Sequence, residues 1–118
     1  RANIEYQAVS RGLYLNISVR DEKLAVVDKR DGQPREYELT TADWNELAKL
    51  FHAINLKEVP NYEAPTQKRF YDGAAIANLR IVYDGSVYES QPFDHGTPPA
   101  EIAAFVNKIV SFYSPKSE

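Results

Sequence analysis

Two histidines, His52 and His95, are the only imidazoles in the chain, and cysteine is absent. A protein metal site needs three or four convergent ligands, and without sulfur the choice narrows to His, Asp and Glu. The missing thiols also exclude disulfides and thiolate catalysis within this chain. His95 stands in the turn-like run Phe93-Asp94-His95-Gly96. Asp94 and His95 could form an acid–base pair, with Asp72 brought in from elsewhere as a third group, which defines one candidate: a small hydrolase. The bland alternative is a structural turn with the imidazole bonded to backbone or a carboxylate, because chain neighbours tend to point apart. His52 falls outside the apolar stripe of a helix and reads as a surface or edge histidine. No serine lies in a Gly-x-Ser-x-Gly elbow, and the five glycines form no phosphate-cradling loop. No cofactor and no metal are expected, and the chain reads as a non-enzyme.

The most unusual stretch is Pro65-Thr66-Gln67-Lys68-Arg69-Phe70-Tyr71-Asp72-Gly73. Two cations, two aromatics and an acid crowd one connection. Amphipathic residues of this kind make recognition surfaces, so Lys68, Arg69, Phe70, Tyr71 and Asp72, with Asp94 and His95, are the candidate surface. The competing expectation is that Phe70 and Tyr71 anchor a long loop to the core while Lys68 and Arg69 stay solvated. Tyrosine is in excess, with eight in the chain. Tyr6, Tyr14, Tyr37, Tyr83 and Tyr88 all fall on expected strands. Several could cluster on an open sheet face and meet a protein, peptide or glycan, or each could hold a half-buried strand position with its hydroxyl wet.

Charge narrows the partners. Fourteen Lys and Arg stand against seventeen Asp and Glu, for a net charge of −3. The longest basic run in the loop is the pair Lys68-Arg69, too little to replace phosphate counterions, so a nucleic-acid partner is not expected. No segment approaches the roughly 18 apolar residues of a membrane span.

These groups must be positioned by a scaffold. Residues 3–9 read as a first strand. Leu13, Leu15, Ile17 and Val19 alternate with polar residues as a half-buried second strand. Asp21-Glu22-Lys23 is a turn, Leu24 to Asp28 a third strand, and Arg35 to Leu39 a fourth, entered through Asp31-Gly32 and Pro34. The period then shifts to that of a helix: Thr40 and Asp43 form a capping box, Trp44, Leu47, Ala48 and Phe51 share a face, and Asn55 is placed to end the helix in a left-handed conformation. Residues 56–73 connect, with Leu56, Val59 and Tyr62 as pins. The longest strand runs from Ala75 to Tyr83 and turns at Asp84-Gly85 into Val87–Ser90. Thr97 is placed to cap a second helix with Pro98 at its first position, Ile102, Phe105, Val106 and Ile109 as its buried stripe, and Pro115 beyond its end. The expectation is one α+β domain over residues 1–118: an antiparallel sheet of five to six strands, two helices on one face, order β-β-β-β-α-β-β-α. Trp44 and Phe105 are expected to be its costliest truncations.

The runs Arg11-Gly12-Leu13-Tyr14-Leu15-Asn16-Ile17-Ser18-Val19, Thr41-Ala42-Asp43-Trp44-Asn45-Glu46-Leu47, Phe70-Tyr71-Asp72-Gly73-Ala74-Ala75-Ile76-Ala77-Asn78-Leu79 and Phe93-Asp94-His95-Gly96-Thr97-Pro98-Pro99-Ala100-Glu101-Ile102 resemble small bacterial envelope proteins of the Bacteroidetes type, many of them lipoprotein-like. The resemblance implies a periplasmic or cell-surface location and a cleaved leader carrying a lipid anchor, and it carries no activity, ligand or catalytic residue. A removed leader or a trimmed chain would also account for the absence of methionine. Three functions are therefore weighed: a binding or accessory domain of the cell envelope, an inhibitor of an extracellular enzyme acting through loop 62–73, and the hydrolase on Asp72, Asp94 and His95.

Overall fold

A computed structural model describes residues 1–113. Seven strands and two helices follow the chain in the order β1 (Ala2–Val9), β2 (Tyr14–Arg20), β3 (Lys23–Val27), β4 (Arg35–Tyr37), α1 (Thr41–His52), β5 (Ile76–Tyr83), β6 (Ser86–Glu89), β7 (Phe93–Asp94) and α2 (Ala100–Ser111). All strand pairs are antiparallel, in the spatial order β4-β3-β2-β1-β5-β6, with β7 also on β5. The first four strands form a meander. The α1 segment then carries the chain back across the sheet so that β5 adds to the free side of β1.

The alternation of side chains sorts the sheet into two faces. Ile4, Tyr6, Ala8, Leu15, Ile17, Val19, Leu24, Val26, Ala77, Leu79 and Ile81 are buried together with Leu47 and Phe51 of α1 and Ile102, Phe105, Val106 and Ile109 of α2. The opposite face is mixed, and its polar residues pair with one another. Asn16 Nδ2 donates to Glu5 Oε2 at 3.3 Å and Asn78 Nδ2 to Glu89 Oε2 at 2.7 Å. Removing the inner face from water is the driving force for the layering.

Local chemistry explains the ends of the elements. The capping box is present: Thr40 Oγ1 accepts from the Asp43 amide at 3.0 Å, and Asp43 Oδ2 accepts from the Thr40 amide at 3.1 Å. The β5–β6 hairpin turns at Asp84 and Gly85, both at positive φ, as a two-residue turn between twisted strands requires. The β2–β3 turn has the same form without glycine, with Asp21 at φ 53° and Glu22 at φ 57°.

Several expectations are corrected. The sheet has seven strands rather than five or six because the last edge strand is broken. At the break, Ser90 Oγ accepts the Leu79 amide at 2.9 Å, the Ser90 amide bonds the Leu79 carbonyl at 2.8 Å, and Pro92 has no N–H to give. Helix α1 ends at Ala53 with a right-handed cap, and Asn55 is extended. Helix α2 begins two residues later than expected. Its cap is Pro99 and the Thr97 side chain does not cap it; instead the Thr97 amide bonds the Asp94 carbonyl at 2.9 Å. Trp44 is half-buried rather than a core residue. The tyrosines do not gather on the open face. Tyr6 is buried, Tyr83 packs on Phe51, and Tyr37 and Tyr88 lie opposite the buried Leu24 and Ile81, which leaves Tyr14 alone of the five on the helix-free side. The stop at Pro115 lies outside the described residues.

Two stability measurements follow. Phe105→Ala should lose about 3–5 kcal/mol in denaturant unfolding, whereas Trp44→Ala should lose about 1–2 kcal/mol because the indole is only partly buried at the edge of the core. Equal losses would contradict the burial difference. Glu22→Gly, which relieves a left-handed residue that carries a Cβ, should stabilise by about 0.5–1 kcal/mol.

Candidate functional site

The site grows from a single outward-facing carboxylate. In β7, Phe93 lies opposite the buried Ala77, and Asp94 lies opposite Ile76 on the other face. The pleat therefore sends Phe93 and His95 toward the helices and Asp94 toward the helix-free side. An unpaired carboxylate there would demand water. Instead the chain from Thr66 to Phe70 folds over it as a strap, and the Asp94 side chain retains 2% exposure.

Each oxygen of Asp94 takes two donors. Oδ2 accepts from the Thr66 hydroxyl at 2.5 Å and the Lys68 amide at 2.8 Å. Oδ1 accepts from the Arg69 amide at 2.9 Å and from Arg69 Nη1 at 3.0 Å. The strap adopts a 3-10 turn over Lys68–Phe70, so the carboxylate supplies from outside what a capping side chain would supply within a helix. Arg69 closes the loop on itself, donating from Nη1 to the Thr66 carbonyl at 3.0 Å and from Nη2 to Gln67 Oε1 at 3.2 Å. Burial raises the Asp94 pKa, but the hydrogen bonds from Thr66, from the Arg69 and Lys68 amides and from the Arg69 side chain outweigh it and bring the value from 3.8 down to about 2.

With Arg69 turned inward, its aromatic neighbours turn out. Phe70 is 71% exposed and Tyr71 is 76% exposed. The Arg69 guanidinium lies 4.6 Å from the Phe70 ring centroid and braces it. The backbone leaves the strap through Asp72, whose amide bonds the Lys68 carbonyl at 2.7 Å, and Gly73, at φ 74°. Gly73 is needed for that left-handed exit, since an added Cβ would meet nothing but would be strained by the backbone. Next along the chain, Ile76 is also exposed, on the open face, and Val9 and Tyr14 continue its row across β1 and β2. An apolar row thus adjoins the strap at one end of the helix-free face.

The predicted site residues divide accordingly. Lys68, Phe70, Tyr71 and Asp72 are exposed, while Arg69 and Asp94 are internal supports. Of the two expectations for the strap, the anchoring one fails for Phe70 and Tyr71, which face water, and for Arg69, which is buried, while Lys68 is solvated as it required. His95 points away from Asp94. Its Nδ1 lies 2.7 Å from the Tyr6 hydroxyl, and the two rings are 5.8 Å apart. Burial lowers the His95 pKa and raises that of Tyr6, which favours the neutral form of both groups across this bond. Asp94 and His95 are thus not one acid–base unit, and Asp72 makes no bond to either of them that would complete a triad. Among the described residues, no group of three or more His, Asp or Glu side chains is arranged to hold a metal ion, and no helix is long and apolar enough to cross a membrane. Sequence reasoning missed Thr66, the one hydroxyl in the strap on Asp94, whose signal was a Thr two residues before the Lys68-Arg69 pair.

No family model, no curated protein and no solved structure matches this chain.

Asp94→Asn should remove the charge that the strap donors converge on and cost about 3 kcal/mol at neutral pH. Because the native pKa of Asp94 is depressed, its stabilising contribution is complete above about pH 4 and fades as the pH falls toward 2. Unfolding curves of wild type and variant should therefore converge in acid; a gap that stays constant from pH 7 to pH 2 would contradict the assignment.

Proposed function

We propose that this chain is a non-enzymatic binding domain that recognises a protein partner through the strap, with Phe70 and Tyr71 as anchors and Lys68 and Asp72 as polar flanks. The observation that carries the reading is two adjacent exposed aromatics on backbone already immobilised by Asp94. Large aromatics left in water give little to the fold, yet they are the residues that dominate contact energies when a partner desolvates them. A strap held rigid before contact has less conformational entropy left to lose, which is how preorganised loops raise affinity. The two exposed rings call for an apolar pocket on the partner, with a hydroxyl-accepting group for Tyr71.

A second reading is favoured by the same rigidity: an inhibitor that blocks an extracellular enzyme through loop 62–73. The 3-10 turn over Lys68–Phe70 makes the strap a wedge rather than an extended substrate mimic, so inhibition would proceed by obstruction of a cleft. We place the domain in the periplasm or at the cell surface, following the resemblance to envelope proteins, with attachment through a lipidated leader as part of the same proposal.

A photo-crosslinking amino acid at position 72 should yield a discrete adduct in native cells, and the same residue at Glu36 should not. Phe70→Ser and Tyr71→Ser should each weaken capture of that partner by about thirtyfold or more, the loss typical of an interface anchor, and Tyr71→Ser should leave the unfolding midpoint unchanged. An adduct that survives the double variant would refute the strap as the recognition element. Fractionation that recovers the native protein from the cytosol would overturn the proposed location.

A further inference from the structure

At the end of the sheet away from the strap, α1 stands off from the strands and leaves an open cavity of about 390 Å³. Four aromatic side chains, Trp44, Phe51, Tyr83 and Phe105, line it, and Ile4, Val19 and Leu47 complete its apolar wall. At the centre of the sheet the core is sealed: Ile17, Leu79, Ile81 and Ile109 have 0% exposure. Around the cavity it is not, and Ile4, Val19, Leu47 and Phe51 keep between 5% and 9%. The half-buried state of Trp44 has the same cause. Its indole forms one wall of a space that no side chain among the described residues fills.

An apolar wall facing water forgoes both dispersion contacts and the gain from burial. The volume falls within the range of single small-molecule pockets, about 300–1,000 Å³. That is too little for the apolar stripe of a whole helix. The mouth carries Asn45, His52, Glu22 and Arg1. Donors and acceptors are present, and the two fixed charges are of opposite sign, so the rim favours hydrogen bonding over a net charge on the ligand. Glu22 reaches this rim because the β2–β3 turn holds it in the left-handed region at φ 57°.

We propose that this cavity binds a small uncharged amphiphile with a planar aromatic body, seated among the four rings, and one hydrogen-bonding head at the rim. The site is separate from the strap and does not depend on the strap's role. Trp44 is the only tryptophan in the chain, so it reports occupancy directly.

The test is a titration of the whole protein with N-phenyl-1-naphthylamine, a neutral aromatic probe whose absorption overlaps tryptophan emission. Saturable energy transfer from Trp44 with one site per chain is expected, together with a rise in thermal midpoint as the probe concentration increases. Ala48→Phe at the mouth and Val19→Phe on the wall should each reduce probe affinity by roughly tenfold or more. Ala48 is solvent-facing on α1, so that variant keeps the test decisive if the wall variant fails to fold. The double variant Phe70→Ser with Tyr71→Ser should bind the probe as wild type does. Absent or unsaturable transfer, unchanged affinity in both filled variants, or loss of binding in the strap variant would each overturn the proposal.

Discussion

A carboxylate buried on the wrong side of a sheet must be satisfied completely or not at all, and Asp94 organises one end of this molecule on those terms. An ionised group removed from water costs several kcal/mol unless donors replace its hydration. Four donors converge on its two oxygens, and all come from residues 66–69. The requirement runs both ways. The strap has its own amides and a guanidinium to satisfy, and no regular strand or long helix to satisfy them in. Each side resolves the other's deficit, so the strap is ordered without a hydrophobic anchor at its tip. That arrangement frees Phe70 and Tyr71 from a structural duty. It also removes Asp94 from chemistry, because a carboxylate with every acceptor position engaged has little capacity to take a substrate proton.

The features legible in the sequence were those set by near neighbours. The capping box at Thr40 and Asp43 spans three residues, the Asp84-Gly85 turn two, and both formed as expected. The strand alternation of β1, β2 and β5 and the stripe Ile102, Phe105, Val106 and Ile109 needed only a period and an apolar count. The tyrosine faces were legible as well, from phase. Tyr6 alternates in step with Ile4 and Ala8 and is buried with them, while Tyr14 alternates out of step with Leu15 and Ile17 and lies on the open side.

What could not be read depended on partners far along the chain. Arg69 lies beside two aromatics in sequence, so local reasoning solvates the cation and buries the rings. The outcome reverses because Asp94, twenty-five residues later, offers a charge that the rings cannot answer. The Thr97 cap failed for a related reason. Thr97 and Pro98 carry the composition of a helix start, but Asp94 and Thr97 pair as a bridge, and the chain must complete that turn before α2 can begin. The splitting of the last edge strand likewise rests on one hydroxyl, Ser90, which accepts the Leu79 amide eleven residues away in place of a ladder carbonyl.

The helix-free face bears on where this domain can meet other molecules. An open sheet face is commonly the place to look for a partner, yet the middle of this one carries its own polar pairs. A ligand on Glu5, Asn16, Asn78 or Glu89 would have to replace hydrogen bonds already made, with little apolar area to gain. The free sheet edges offer little more. At one side β4 is three residues long and follows Pro34, and at the other the 3-10 turn Leu56–Asn61 runs beside β6, with Gln91 Nε2 bonding the Pro60 carbonyl at 3.0 Å. Short, proline-bounded or covered edges resist pairing with another strand. The largest unspent apolar surfaces lie at opposite ends of the sheet, the strap and the aromatic cavity, with Val87 exposed singly on β6, and at those two ends binding would release water without first breaking a bond the fold has made.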